Sequence, residues 1–276
     1  MASNNGNIDV KGDGINIQLT QKLEKTLQLL EAVDCDDAKK ELREALTLVS
    51  SVNNYAVSKS TPLSSLLRDV VEETTTLDFQ KLHSEGKMKG PIPGYNKMNM
   101  ISSTGQVQLL QFFIRKLKSR NILEIGSYMG YGTFGMAEAM APGGKVTGID
   151  IEPYFCDFVN KTARQRKLNI EVKQGSALPV LESLAKEGNK YDFIYVDCQK
   201  SEYCDYFKTI MDNGMLVPDG MIAADNALWS GHSIARSDHS GRCLDDFNTL
   251  VAQDTRVTSA LLPCYDGLLL IQHRVS

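Results

Sequence analysis

From Ile17 onward the apolar residues return at helical intervals: Leu19, Leu23, Leu27 and Leu30, then Leu42, Leu46 and Val49. This spacing predicts two amphipathic helices broken around Asp34–Asp37. A further helix is predicted from Leu63 to Glu73, entered through Ser60-Thr61-Pro62. Gly90-Pro91-Ile92-Pro93-Gly94-Tyr95 reads as a loop, and residues 1–16, rich in Asn, Gly and Asp, as a flexible tail. Residues 1–95 are therefore expected to form a tail and a helical cap or dimerisation region.

Beyond residue 95 the period changes. A helix is predicted over Gln106–Lys118, with Leu109, Leu110, Phe113 and Leu117 on one face. Short apolar runs then alternate with helical stretches: Asn121–Ile125, Lys145–Asp150, Ile170–Lys173, Tyr191–Asp197, Met221–Asp225, Val257–Leu262 and Leu268–His273. Continuous apolar runs between helices indicate strands covered on both faces, as in a parallel α/β sheet. The last two runs are joined only by Pro263–Gly267. That link suits an antiparallel hairpin, because a parallel crossover needs a dozen or more residues. The expected fold is α/β: a Rossmann-like, doubly wound seven-stranded sheet with an antiparallel terminal hairpin, over residues 96–276, preceded by an N-terminal helical region.

Composition narrows the function classes. A net charge of −4 speaks against a general nucleic-acid binder. No run of about 18 uncharged apolar residues is present, so no membrane span is expected. The polar N-terminus lacks the apolar core of a secretory signal, so a cytoplasmic location is expected. The six cysteines show no Cys-x-x-Cys pair and read as free thiols of a reducing compartment, and the four histidines show no zinc spacing.

Ligands of open α/β sheets bind beyond the carboxyl ends of the strands, so candidate chemistry is sought there. The first run ends Leu123-Glu124-Ile125-Gly126-Ser127-Tyr128-Met129-Gly130-Tyr131-Gly132. This is glycine-rich but is not Gly-x-Gly-x-x-Gly. Its acid, Glu124, opposes a pyrophosphate and suits a ligand with a cationic amine. The second run ends in Asp150, an acid able to accept both hydroxyls of a ribose. A ribose at one end and an ammonium at the other describe S-adenosylmethionine better than NAD. The alternative is a pair of solvated strand-end carboxylates. Gly175-Ser176-Ala177 forms a small-residue turn that could lie against an adenine edge. Asp197, Asp225 and Asn226, at the ends of neighbouring runs, make a hard oxygen-only donor set suited to Mg²⁺ or another divalent cation. Their alternative reading is a strand-end acid and a helix N-cap. Lys200 follows Asp197 by three residues. Beside a dication its pKa would fall, and it could serve as general base toward a hydroxyl.

Five blocks in order, from about Met98 to Arg274, resemble the cation-dependent O-methyltransferases of the caffeoyl-coenzyme A and catechol type. They are residues 123–131, Gly-Ser-Ala-Leu-Pro-Val-Leu at 175–181, Val-Asp-Cys-Gln-Lys at 196–200, Asp-Asn-Ala-Leu-Trp-Ser-Gly at 225–231 and Leu-Pro-Cys-Tyr-Asp-Gly at 262–267. The N-terminal helices and Ser60-Thr61-Pro62 are similar to the O-methyltransferase of the mycosporine (4-deoxygadusol) pathway. The resemblance implies that residues 96–276 are an S-adenosylmethionine-dependent methyltransferase domain. Glu124 and Gly126 would line the methionine end of the cofactor, with Met98, Tyr128, Gly130 and Thr133 close by. Asp150 would hold the ribose, and Ser176 and Ala177 the adenine. Asp197 would serve both cofactor and cation, Asp225 and Asn226 the cation, and Lys200 would be the catalytic base. A small-molecule acceptor with adjacent oxygens and a homodimer are implied as well. The chain departs from the family pattern at Gln199, where an acid is usual. It also has Gly132 in place of a serine, which shifts the expected hydroxyl contact to Thr133. The competing readings are an NAD-dependent oxidoreductase and a catalytically inactive cofactor-binding protein.

Overall fold

The computed structural model describes residues 15–89 and 100–274. The predicted loop at 90–95, most of the predicted tail and Met98 lie outside the described residues. Two N-terminal helices form as the leucine spacing predicts, α1 (Ile15–Leu29) and α2 (Asp36–Ser58); they pack against each other, and α1 also touches the turn at Trp229–Gly231. Next come α3 (Ser65–Thr76) and α4 (Phe79–Ser84). α3 starts at Ser65 rather than Leu63, because the Ser64 hydroxyl accepts the Leu67 N–H at 3.2 Å and caps the helix there.

The α/β part runs α5 (Thr104–Leu117), β1 (Asn121–Ile125), α6 (Tyr131–Ala139), β2 (Lys145–Asp150), α7 (Pro153–Arg166), β3 (Ile170–Gln174), α8 (Ala177–Lys186), β4 (Tyr191–Val196), α9 (Tyr203–Asp212), β5 (Leu216–Ala224), α10 (His232–Ala235), α11 (His239–Gln253), β6 (Val257–Leu262) and β7 (Leu268–His273). The seven strands lie in the order β3-β2-β1-β4-β5-β7-β6. The first five are parallel, and β7 is antiparallel to both β5 and β6. The doubly wound sheet and its terminal hairpin are therefore as the sequence predicts. β5 begins five residues earlier than its apolar run, because Leu216 pairs with Tyr191 across a register shift before the ladder resumes at Met221.

Side-chain alternation along the strands feeds two cores. Leu123, Ile125, Ile194 and Val196 face α8, α9 and α11, where they meet Leu181, Phe207, Leu244 and Phe247. Ile122, Phe193 and Tyr195 face α5 and α6, against Leu110, Ile114 and Met136. α3 closes the second side, its Leu66, Leu67, Val70 and Val71 packing with Val107, Phe134 and Val159. Among the described residues no helix is long and apolar enough to cross a membrane.

The register then fixes the site. Ile125 pairs with Val196, and Val196 with Ala224, so the next residues, Gly126, Asp197 and Asp225, emerge side by side at the carboxyl edge. Two hydrogen bonds lock this alignment, Asp197 N–H to Ile125 O and Asp225 N–H to Val196 O, both 2.9 Å. The strand order reverses between β1 and β4, and a cleft is expected at such a switch point.

Candidate active site

A cavity of about 880 Å³ occupies that cleft, lined from the ends of β1 to β5 and from the β6–β7 connection. On the β1 side the chain must turn sharply. Gly126 has φ +97°, and a Cβ there would run into the backbone carbonyl of Asp197. Glycine therefore lets the β1 exit approach the β4 exit as closely as it does. Glu124 is buried at 2% exposure and accepts the Thr133 hydroxyl. Burial pushes its carboxyl up to about 8, against the pull of the Thr133 and Ser127 hydroxyls. A Cβ at Gly132 would come within 2.6 Å of Glu124 Oε1. The absence of a side chain at 132 thus makes room for this acid, and Thr133 serves it from behind.

Asp150 lies at the end of β2, partly buried. Its Oδ2 accepts the Tyr128 N–H at 2.7 Å and its Oδ1 the Glu152 N–H at 2.9 Å. A carboxylate has about four acceptor positions, so acceptor capacity remains for a ligand. Burial raises its pKa, opposed by these backbone bonds. Tyr128 packs edge-on against Phe155, with ring centroids 4.8 Å apart, and the two form an aromatic wall of the cavity. Ser176 and Ala177 open α8 at the cavity edge.

The β4 and β5 ends concentrate charge. Lys200 Nζ donates to Asp197 Oδ1 at 2.8 Å and to the Tyr203 hydroxyl at 3.1 Å, and it lies over the rings of Tyr203 and Trp229 at 5.2 and 5.6 Å. Burial works against its charge, but Asp197, Tyr203 and Asp225 outweigh burial and raise its pKa. In this state Lys200 is an ammonium seated on Asp197, not the free amine that the sequence reading expects beside a dication. Asp225 is 4% exposed; its Oδ2 accepts the Tyr195 hydroxyl at 2.9 Å and its Oδ1 the Asn226 N–H at 2.6 Å. Burial, then the charge of Asp197, raise its pKa. Gln106 Nε2 donates to the Tyr195 hydroxyl at 2.8 Å, so a chain of bonds ties α5 to the β5 end.

After Asp225 the backbone is left-handed at Asn226 (φ 59°), Trp229 (φ 46°), Ser230 (φ 50°) and Gly231 (φ 87°). Each non-glycine residue there costs roughly 1–2 kcal/mol, so the loop requires external support. Part of that support is Asp238, whose Oδ2 accepts the Trp229 indole N–H at 3.1 Å.

Of the residues chosen from sequence, Glu124, Gly126, Tyr128, Asp150, Ser176, Ala177, Asp197, Lys200, Asp225 and Asn226 all line this cavity. Thr133 and Gly130 stand behind it. Thr133 is fully buried against Glu124, and Gly130 (φ +85°) starts α6, where a Cβ would meet Val159 and Phe134. Gln106, Tyr195 and Asp266 also line it without having been singled out. Tyr195 reads as one more apolar strand residue, and its hydroxyl partners come from α5 and β5, which no local pattern links.

The donor set suits a hard divalent cation: two carboxylates on adjacent strand ends, and an amide whose nitrogen is turned to Asp266 by a 3.0 Å bond, leaving its oxygen as the other face. Among the described residues no three His, Cys, Asp or Glu side chains gather into a metal-binding group.

Residues 72–274 match the O-methyltransferase family. Caffeoyl-CoA O-methyltransferase 2 of Petunia hybrida is 34% identical over 186 residues, spanning 62% of this chain and 75% of that protein. Caffeoyl-CoA O-methyltransferase of Medicago sativa is 31% identical over 226 residues, 76% of this chain and 89% of its own length. The fold is shared with the methyltransferase PaMTH1 of Podospora anserina, solved with SAH bound, at 24% identity and a TM-score of 0.71 over 83% of this chain and 96% of that one. The chain thus belongs to the O-methyltransferase family and is an S-adenosylmethionine-dependent enzyme of the caffeoyl-CoA O-methyltransferase type.

Proposed function

We propose that this chain methylates one of two adjacent oxygens on a small catechol-like or enediol acceptor, with a divalent cation such as Mg²⁺. The observation that carries the reading is the gathering of Glu124, Asp150, Asp197, Lys200, Asp225 and Asn226 on the walls of one cavity. S-adenosylmethionine supplies an electrophilic methyl on its sulfonium. Glu124 would accept the amine of its methionine end, and Asp150 would offer its remaining acceptor capacity to the ribose. Asp197, Asp225 and Asn226 would hold the cation, which would supply charge favouring the ionised form of a substrate hydroxyl. Lys200 would receive the hydroxyl proton only after giving up its own ammonium proton to solvent, a loss that a dication drawing Asp197 away from it would favour. Trp229 and Tyr128 give the cavity apolar walls that exclude water, so positioning sets much of the rate.

The lining favours an acceptor without phosphate groups over the coenzyme A ester in the relatives' names. Among the described residues it carries two cationic side chains, Lys89 and Lys200, against seven carboxyl groups. Methyl transfer from labelled S-adenosylmethionine to a panel of catechol, caffeate, a cyclohexenone enediol and caffeoyl-CoA tests the reading. Turnover should vanish with chelator and return with Mg²⁺. Full activity after exhaustive chelation would remove the cation from the scheme.

A homodimer belongs to the same proposal. Leu48, Val52 and Tyr55 form an exposed stripe along α2, at 71%, 49% and 65% exposure. Leu48→Glu with Tyr55→Glu should halve the mass seen by analytical ultracentrifugation; an unchanged mass would place any interface elsewhere.

A further inference from the structure

The connection between β6 and β7 does more than close a hairpin: it grips the loop that follows β5. Gly267 O accepts the Ala227 N–H at 3.0 Å, and Asp266 O accepts the Leu228 N–H at 2.9 Å. Gly267 (φ +84°) permits this approach, because a Cβ there would lie 2.6 Å from Leu228 Cγ and 2.7 Å from its nitrogen. Tyr265 anchors the other side, its hydroxyl filling the space where Gly105 of α5 lacks a side chain. Between the two, Asp266 is 2% exposed and divides its carboxylate. Oδ1 accepts the Ser230 N–H at 2.5 Å, and Oδ2 accepts Asn226 Nδ2 at 3.0 Å.

This second bond settles the Asn226 amide. The amide nitrogen faces Asp266, its Nδ2 lying 3.0 Å from the accepting Oδ2. The amide oxygen is then the atom on the opposite side of the rotor. The first bond holds the left-handed turn at Ser230, two residues short of which the chain is already fixed by Leu228.

We infer that Asp266 is a positioning residue for the cation site, setting Asn226 to present its oxygen and bracing the loop that carries it. The inference rests on the reading that Asp197, Asp225 and Asn226 hold a divalent cation. Partners that orient a metal ligand, when mutated, typically cost 10–100-fold in affinity.

The test is Mn²⁺ binding to the full chain, followed by electron paramagnetic resonance of the free ion, with S-adenosylmethionine binding measured calorimetrically alongside. In Asp266→Asn either one of the two bonds is lost, or the Asn226 amide flips to keep both and turns its nitrogen toward the cation. Mn²⁺ affinity should fall by at least about tenfold, while cofactor affinity stays within twofold. The exchanged pair Asn226→Asp with Asp266→Asn restores both bonds: the new amide donates to residue 226 and its oxygen still accepts from Ser230. Mn²⁺ affinity should then return to within about fivefold of the unaltered protein. This pair carries the test alone if the single variant does not fold. An unchanged Mn²⁺ affinity in Asp266→Asn overturns the inference, as does a folded, cofactor-binding exchanged pair that stays tenfold or more weaker. If the unaltered protein binds cofactor but no Mn²⁺, the cation reading itself falls and takes this inference with it.

Discussion

Around the β1, β2 and β3 ends, the cavity meets its ligand with tight turns and acids whose protonation is shaped by burial. Around the β4 and β5 ends it presents an ion pair, a buried second acid and a loop bent into left-handed backbone. In the first half the backbone does most of the placing: Gly126 brings two strand exits together, and two N–H groups aim Asp150. In the second half, side chains from distant elements do it: Gln106 from α5 through Tyr195, and Asp238 from the start of α11. A half built from backbone should tolerate side-chain changes nearby and fail at its glycine. A half built from a charge network should fail at single side chains.

The largest expected effect lies in the charged half. Lys200→Ala should lower kcat by about 10²-fold, the usual range for losing a general base, with cofactor affinity unchanged and partial rescue at high pH. Lys200→Arg should stay impaired, because a guanidinium keeps its proton. Full activity in Lys200→Arg would reduce Lys200 to a fixed positive charge and erase the chemical contrast between the halves.

In the backbone half, Gly126→Ala should cost about 2 kcal/mol or more in unfolding free energy, through positive φ and collision with the Asp197 carbonyl. Urea titration measures it, and a loss below about 0.5 kcal/mol would mean that the two strand exits can part freely. Asp150→Ala should weaken S-adenosylmethionine binding by about 1–3 kcal/mol, as for hydrogen bonds to a charged group. An unchanged dissociation constant would put the ribose elsewhere.

The smallest effect is a pH dependence. Glu124 holds its proton in the folded chain up to about 8, above its ordinary 4.5. Folded protein binds more protons than unfolded across that window, so its contribution is full below 4.5 and is lost as pH rises through about 8. Cofactor affinity should move oppositely, because an ionised Glu124 attracts an ammonium. Calorimetry should show tighter binding from pH 6.5 to 8.5, by at most about tenfold per unit, with proton release. Glu124→Gln should flatten both trends; a slope that persists would move the proton to another group.

The same contrast explains what the sequence discloses. Strands β1, β2, β6 and β7 are bounded as their apolar runs predict; β1 and β2 are covered on both faces, whereas β6 is the sheet's edge and keeps Thr258 and Ala260 exposed. The early start of β5 is hidden because Pro218-Asp219-Gly220 breaks its apolar run, while pairing with β4 still draws Leu216 into the sheet. Glu124, Asp150, Asp197, Asp225 and Asn226 are legible because strand ends are where ligands lie in this fold. Tyr195 and Gln106 are not, since their roles arise from hydrogen bonds between elements far apart in the chain. Thr133 shows the intermediate case: the need for a hydroxyl near 132 is readable, but its partner Glu124 is set by the space that Gly132 leaves.

The chain has a single tryptophan, and the fold places it on the cavity wall with an ammonium 5.6 Å from its ring. An indole emits according to the charges and water beside it, so Trp229 is a built-in optical reporter of the half around Lys200. Any ligand that draws Lys200 from Asp197, or shuts solvent from that wall, changes the emission of the whole protein. Occupancy of the second half can therefore be followed in stopped flow without a label, separately from the half around Asp150.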